Sequence, residues 1–171
     1  MNKRMKRSTG ALAGAVVLGV AVLAPAAAGA AEHVVRIISD YQNVRMYFKP
    51  KLLHIQPGDT VVWVNEVAEE HNVITYPDGY PRGAEAIVSP YLKDKDERWS
   101  VTLTVPGTYQ YHCIPHLPMG MNGSIVVGKP SSEADFHEPS KAEVAAYRDQ
   151  LLEYFDKDEF DYKPRQQRAS K

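Results

Sequence analysis

Cysteine is almost absent from this sequence of 171 residues, which contains only Cys113. A single cysteine cannot form an internal disulfide, and this excludes a fold held together by such bonds. In an oxidising compartment an odd thiol is a liability unless something occupies it. Four interpretations of Cys113 follow: intermolecular pairing, an inert buried thiol, a nucleophile, or a metal ligand.

A strong charge of either sign is also missing. The formal net charge is −1, and removal of the four cations in residues 1–30, a segment without acids, leaves about −5 for the remainder. This mildly acidic balance argues against a nucleic acid partner.

The first 30 residues have the composition of an export signal. Four basic residues lie between positions 3 and 7, an Ala/Val/Leu/Gly run follows from Gly10, and AGA occupies 28–30. Small residues at those positions are typical of a signal-peptidase site, so we predict cleavage after Ala30 and a periplasmic location. An uncleaved anchor is the alternative, because about 20 apolar residues can span a bilayer. Pro25 and the Ala-rich end favour cleavage, which leaves the mature chain without a membrane span.

Helix-length amphipathic patterns are missing from the middle of the chain, where short β-prone runs alternate with turn residues such as QPGD and VPG. The runs are HVVRII (33–38), VRMYF (44–48), TVVWVN (60–65), HNVITY (71–76), WSVTLTV (99–105), TYQYHC (108–113) and SIVV (124–127). Many short strands at this spacing predict an all-β antiparallel sandwich or barrel. Residues 77–98 form a longer excursion that we expect to be an extended loop or to hold a short helix.

The C-terminal part has a different pattern. A helix is predicted at about 140–155, because Ser140 and Glu143 form a capping box. The apolar positions near one face of this helix are Val144, Tyr147, Leu151 and Tyr154/Phe155. The predicted organisation is therefore a cleaved signal peptide (1–30), a β domain (31–128), and an extension (129–171) with the amphipathic helix and a polar tail.

The segment YQYHCIPHLPMGMNGSIVV, from residue 109, concentrates metal-binding side chains. It contains Cys113 and His116 in a C-x-x-H arrangement, with Met119 and Met121 just beyond. A trigonal His–Cys–His set with a weak axial methionine is a blue-copper electron-transfer site. Zinc also accepts cysteine and two histidines, but a thioether as fourth ligand is usual for copper.

A second histidine has to come from elsewhere in the chain. His71 is the best candidate, because it begins a β-prone run where a strand end can point at a neighbouring loop. His112 is poorly placed, since alternation along the strand turns it away from Cys113. The remaining histidines, which we expect to be solvated, are His33, His54 and His137.

Three segments resemble the cupredoxins, the small blue copper proteins, and among them are most similar to plastocyanin and pseudoazurin. The segments are FKPKLLHIQPGDTVVWVN (48–65), WVNEVAEEHNV (63–73) and GTYQYHCIPHLPMGMNGSIVV (107–127). The resemblance covers roughly residues 33–128 and keeps the order of the segments. It implies a Greek-key β-sandwich of about eight strands and one type 1 copper.

The resemblance also implies a ligand set of His71, Cys113 and His116 with an axial methionine. Met121 matches that methionine, because it precedes the x-G-x-[VI] motif and its distance from His116 equals the plastocyanin gap. A shorter, amicyanin-like loop would make Met119 the axial ligand. We expect Met119 to lie beside the copper site without binding the metal.

Three further positions near the predicted site have expected roles. Asn72 resembles the asparagine that ties the two ligand segments together. Glu70 replaces the proline of plastocyanin, and with Glu69 it places two carboxylates near the metal. His112 directly precedes the copper cysteine, which makes it a candidate electron port or weak second copper ligand.

These patterns predict a monomeric periplasmic one-electron carrier that is not an enzyme. Redox partner proteins are expected to dock at an apolar patch around His116, formed by Ile114, Pro115, Leu117, Pro118 and Met119. A copper-handling protein that sequesters or oxidises excess copper is the main alternative, supported by surplus ligands such as His54 and His112. A copper oxidoreductase subunit is a third hypothesis, and it requires further copper-binding histidines.

Overall fold

The structure is a computed structural model that describes residues 29–129, 136–153 and 155. The predicted cleavage site after Ala30 lies just inside this part of the chain, while most of the signal segment and of the polar tail lies outside it. Within the described residues no helix combines the length and the apolar character needed to cross a membrane. The strands are β1 (Glu32–Asp40), β2 (Arg45–Lys49), β3 (Leu52–Ile55), β4 (Thr60–Asn65), β5 (Ile74–Thr75), β6 (Arg98–Thr102), β7 (Gly107–His112) and β8 (Asn122–Val127).

Two four-stranded sheets face each other, with strand orders β2-β1-β4-β6 and β3-β8-β7-β5. This arrangement confirms the predicted sandwich of about eight strands. The pairings β1–β4 and β3–β8 are parallel, whereas a purely antiparallel structure was predicted. The difference arises because the chain crosses between the sheets at every connection from β2 to β7. These crossings place strands of the same direction side by side.

Alternating side chains of both sheets fill the core. In β7, Tyr109 and Tyr111 point inward with the following Cys113. The ring of Tyr111 packs edge-on against Phe48 and Trp63, at centroid distances of 4.9 and 5.5 Å. A Cβ atom at Gly123 would lie 2.6 Å from the Tyr111 ring, so glycine is needed at this position of β8.

Residues 77–98 contribute to the core instead of forming a solvated loop throughout. No helix occurs in this described segment, and the buried side chains of Tyr80, Ile87 and Leu92 belong to the main core cluster. The charged run at 93–98 is mostly exposed, and so are residues 82–86. The predicted strand 71–76 shortens to β5, and its first residue, His71, forms only an isolated antiparallel bridge with Leu92.

The C-terminal helix α1 spans Lys141–Leu152, and the predicted capping box between Ser140 and Glu143 is confirmed. Its buried residues Tyr147 and Leu151 pack in a second apolar cluster with Ile74 and Ile114. The helix therefore packs on the outer face of β5 and β7, next to the cysteine loop.

Candidate metal centre

Three potential metal ligands converge at one end of the sandwich. The Nδ1 atoms of His71 and His116 are 3.1 Å apart, and each lies 3.5–3.6 Å from the Sγ atom of Cys113. His71 and Cys113 are fully buried, whereas 12% of the His116 side chain is exposed. Among the described residues, this is the only group of three or more His, Cys, Asp or Glu side chains that could hold a metal ion.

His71 is positioned by backbone pairing with residues 87–92. The amide of His71 donates to the carbonyl of Leu92 (2.9 Å), and the amide of Leu92 donates back (2.7 Å). The side-chain amide of Asn65, at the end of β4, donates to the carbonyls of Leu92 and Glu69. The segment 77–98 therefore fixes the backbone at His71, a role that the sequence did not reveal.

Cys113 and His116 lie on a closed loop between β7 and β8. The amide of Cys113 donates to the carbonyl of Met121 (3.1 Å), and the amide of Met121 donates to the carbonyl of His116 (3.2 Å). Between them a 3-10 turn at Leu117–Met119 ends at Gly120, whose φ of 77° is left-handed and suits glycine. The loop returns Met121 towards the donors. The side chain of Met121 is fully buried and belongs to the core cluster that contains Cys113. Met119 points outward and is 43% exposed.

Asn72 joins the two segments that carry the potential ligands. Its backbone amide lies 3.5 Å from Sγ of Cys113, within hydrogen-bond range for sulfur. Its side-chain oxygen accepts a 2.7 Å hydrogen bond from the amide of Ile114. These contacts place Asn72 where the resemblance implied, between His71 and the cysteine loop.

Burial favours the neutral forms of the three donors in the metal-free protein. It lowers the pKa of His71 to about 4, an effect that the neighbouring His116 reinforces, and it also lowers the pKa of His116. The same burial raises the pKa of the Cys113 thiol to about 12. Both imidazoles therefore offer a free lone pair at neutral pH, and a metal ion has to displace the thiol proton on binding.

A hydrogen-bonded carboxylate lies behind both imidazoles. Oε2 of Glu69 accepts hydrogen bonds from the hydroxyl groups of Ser39 (2.5 Å) and Tyr41 (3.1 Å). Burial alone would raise the pKa of Glu69, but these bonds and the nearby histidines hold it below its usual value. Sequence reasoning noted Glu69 but missed Ser39 and Tyr41, which are distant in the chain and belong to no motif.

His112 faces away from the three donors, as strand alternation predicted. It is fully buried, its ring stacks on Tyr76 at 4.4 Å, and its Nε2 lies 2.9 Å from the hydroxyl of Tyr147 in α1. Nδ1 of His112 has no hydrogen-bond partner within the described part of the chain. Burial lowers the pKa of His112 to about 3. The C-terminal helix therefore separates His112 from solvent.

The other three histidines lie outside the cluster. His54 is exposed on β3, as expected. His33 and His137 are less solvated than predicted. They form 2.8 and 3.0 Å contacts with the carboxylates of Asp59 and Glu143, respectively.

The surface around His116 is smaller than predicted. Pro118 and Met119 are exposed, and Pro115 and Leu117 are half-buried. Ile114 is buried instead, because its side chain packs into the apolar cluster under α1. The patch that could contact another protein therefore consists of residues 115 and 117–119 beside the partly exposed imidazole of His116.

The donor set fits copper. A buried thiolate and two imidazoles with a buried thioether nearby match the ligands that blue-copper sites use. The geometry thus agrees with a type 1 copper site built on His71, Cys113 and His116.

Comparisons with known proteins agree with this chemistry. Residues 35–128 match the family of copper binding proteins described as plastocyanin/azurin. The chain is 34% identical to the chloroplastic plastocyanin of Oryza sativa subsp. indica over 126 residues, 72% of this chain and 80% of that protein. It is also 34% identical to the pseudoazurin of Paracoccus pantotrophus over 122 residues, 71% of this chain and 81% of that protein.

Structural comparison gives the same assignment. A solved Sinorhizobium pseudoazurin superposes with a TM-score of 0.52 at 36% identity, covering 69% of this chain and 92% of the pseudoazurin. The chain therefore belongs to the plastocyanin/azurin family of copper-binding proteins, the cupredoxins.

Proposed function

We propose that this protein is a periplasmic one-electron carrier whose copper is held by His71, Cys113 and His116, with Met121 as the weak axial ligand. The observation that carries the proposal is the convergence of Nδ1, Sγ and Nδ1 within 4.8 Å of one another. Copper bound there supplies a one-electron Cu(II)/Cu(I) couple.

The surroundings of the donors suit rapid electron transfer. His71 is fixed by its paired backbone, and the cysteine loop is closed by the Cys113–Met121 and Met121–His116 hydrogen bonds. Asn72 holds the two segments at one distance. Because the protein fixes these side chains, the donors need to move little when the metal changes oxidation state. The neighbouring hydrogen bonds keep each donor oriented.

Electrons are proposed to pass through the exposed edge of His116. This edge is the partly accessible part of the donor set, and it lies among Pro115, Leu117, Pro118 and Met119. A small apolar patch around a redox-active ligand suits short-lived docking with a partner protein. The proposed periplasmic location is supported by the basic region, the apolar run and the AGA site of residues 1–30, and we propose a monomer.

The decisive experiment is a visible absorption spectrum of the Cu(II)-loaded protein beside a Cys113→Ser variant. We expect an intense thiolate-to-copper charge-transfer band that disappears in the variant, because serine offers no soft sulfur donor. His54→Gln, a change at an exposed histidine away from the donors, serves as the matched control and should keep the band. A colourless wild-type protein, or a band that survives in Cys113→Ser, would refute the proposed site.

A copper titration separates the carrier from a copper-handling protein. The carrier binds one tight equivalent and cycles reversibly, whereas copper handling requires several equivalents. The surplus ligands that favoured copper handling do not converge in the described part of the chain. His112 is buried beneath α1 and bonded to Tyr147, and His54 lies on the exposed side of β3.

A further inference from the structure

Glu69 lies close to the outer nitrogens of both histidines of the donor set. Its Oε2 is 3.5 Å from Nε2 of His71, and its Oε1 is 3.7 Å from Nε2 of His116. One carboxylate therefore faces two imidazoles at ion-pair range, with 27% of its side chain exposed.

The tautomers follow from the geometry of the donor set. When both Nδ1 atoms, which face the other donors, bind the metal ion, the proton of each neutral ring resides on Nε2, on the side of Glu69. Oγ of Ser39 lies 3.3 Å from Nε2 of His71 and also donates to Glu69 at 2.5 Å. A chain of polar contacts thus runs from the His71 ring through the Ser39 hydroxyl to the carboxylate.

We propose that Glu69 is a positioning residue that orients both imidazoles and lowers the reduction potential of the copper. This inference rests on the proposed copper ligands. It adds Glu69 as a residue that helps to set the reduction potential of the copper they hold. A negative charge near the ligands stabilises Cu(II) more than Cu(I), because the interaction grows with the charge of the ion. Carboxylates that receive the outer N–H of ligand histidines also fix ring orientation and raise ligand basicity.

Glu70 provides a matched comparison one residue along the chain. Its carboxylate pairs with Lys93 at 3.3 Å, and 41% of its side chain is exposed. The neighbouring lysine and the solvent weaken its field at the metal, since exposed charges are strongly screened. The two residues therefore separate a specific effect of position 69 from a general loss of one negative charge.

The test is the reduction potential of copper-loaded Glu69→Gln and Glu70→Gln proteins, measured against the wild type by redox titration. Glu69→Gln should shift the Cu(I):Cu(II) ratio about tenfold towards Cu(I) at a fixed ambient potential, which corresponds to an increase of about 59 mV for one electron. Glu69→Asp should recover part of this shift, and Glu70→Gln should give less than half of it. Metal affinity adds a readout without turnover: Cu(II) affinity should fall more than Cu(I) affinity in Glu69→Gln.

The outcomes distinguish this inference from the function on which it rests. If the wild type lacks the thiolate charge-transfer band, the copper-site proposal fails. If the band is present in every variant but the potentials of Glu69→Gln and Glu70→Gln agree, the role of Glu69 is refuted. A Glu69→Ala variant guards against an effect peculiar to glutamine, since it should also raise the potential and a decrease would contradict the proposal.

Discussion

Met121 and Met119 lie two residues apart in one loop but in opposite environments. The backbone amides of both donate to the carbonyl of His116, yet Met119 ends the 3-10 turn and the left-handed Gly120 between the two methionines changes the chain direction. Met121 is fully buried, and Met119 is 43% exposed. Sequence register and burial therefore select the same methionine as the proposed axial ligand.

Replacing each methionine with glutamine tests this choice. Glutamine has nearly the same volume and presents a harder oxygen donor, which stabilises Cu(II). Met121→Gln should therefore lower the reduction potential, with the Cu(I):Cu(II) ratio at a fixed ambient potential falling about tenfold, and should shift the visible spectrum. Met119→Gln should change both by much less. Equal effects of the two substitutions in redox titration would exclude Met121 as the distinct axial ligand.

The candidate ligands of the cysteine loop could be proposed from residue patterns because their signal is local: Cys113, His116 and Met121 lie in one loop. Alternation along β7 correctly directed Cys113 inward and His112 outward, towards Tyr76 and Tyr147. The contacts of Glu69 were not predictable, because Ser39 is 30 residues away and becomes a neighbour only through sheet pairing.

Two elements beyond the short strands support the donor set. The segment 87–92 pairs with residues 71–75 through backbone hydrogen bonds, although Ser89 and Pro90 have little β-propensity. The sequence therefore predicted an extended loop or a short helix here. Helix α1 was predicted from its capping box, but its docking site was not, since Tyr147 finds His112 only in the folded protein.

The contact between α1 and β7 gives a prediction for stability. Tyr147→Phe removes the hydroxyl that lies 2.9 Å from Nε2 of His112 and leaves a buried imidazole nitrogen unpaired. We expect the free energy of unfolding to fall by about 1–3 kcal/mol, as measured by chemical denaturation. The charge-transfer band should persist, because no proposed ligand is altered.

Arg148→Ala is the matched control for this helix, since Arg148 is the exposed neighbour of Tyr147. Surface substitutions of this kind usually change stability by no more than about 0.5 kcal/mol. If Tyr147→Phe proved as stable as Arg148→Ala, the hydrogen bond to His112 would not contribute to the docking of the helix.

At the scale of the whole molecule, the folded protein encloses neutral imidazoles. Burial lowers the pKa of His112 to about 3 and that of His71 to about 4, from a usual value of 6.5. In the unfolded chain these rings regain their ordinary pKa. Below about pH 6.5 the unfolded chain therefore binds protons that the folded chain does not, and its free energy falls relative to the folded state.

The metal-free protein should consequently lose stability as the pH falls from 6.5 to 5, a window above the titration of most carboxylates. Each histidine that stays neutral in the fold contributes a slope approaching about 1.4 kcal/mol per pH unit. His112→Gln removes one such group while keeping an amide that can pair with Tyr147, so its unfolding free energy should depend less steeply on pH. His54→Gln, the same change at an exposed histidine of β3, is the matched control. The test is the free energy of unfolding, measured by chemical denaturation at several pH values. If it falls with pH equally steeply in wild type and His112→Gln, the buried imidazole is not the source of the acid sensitivity.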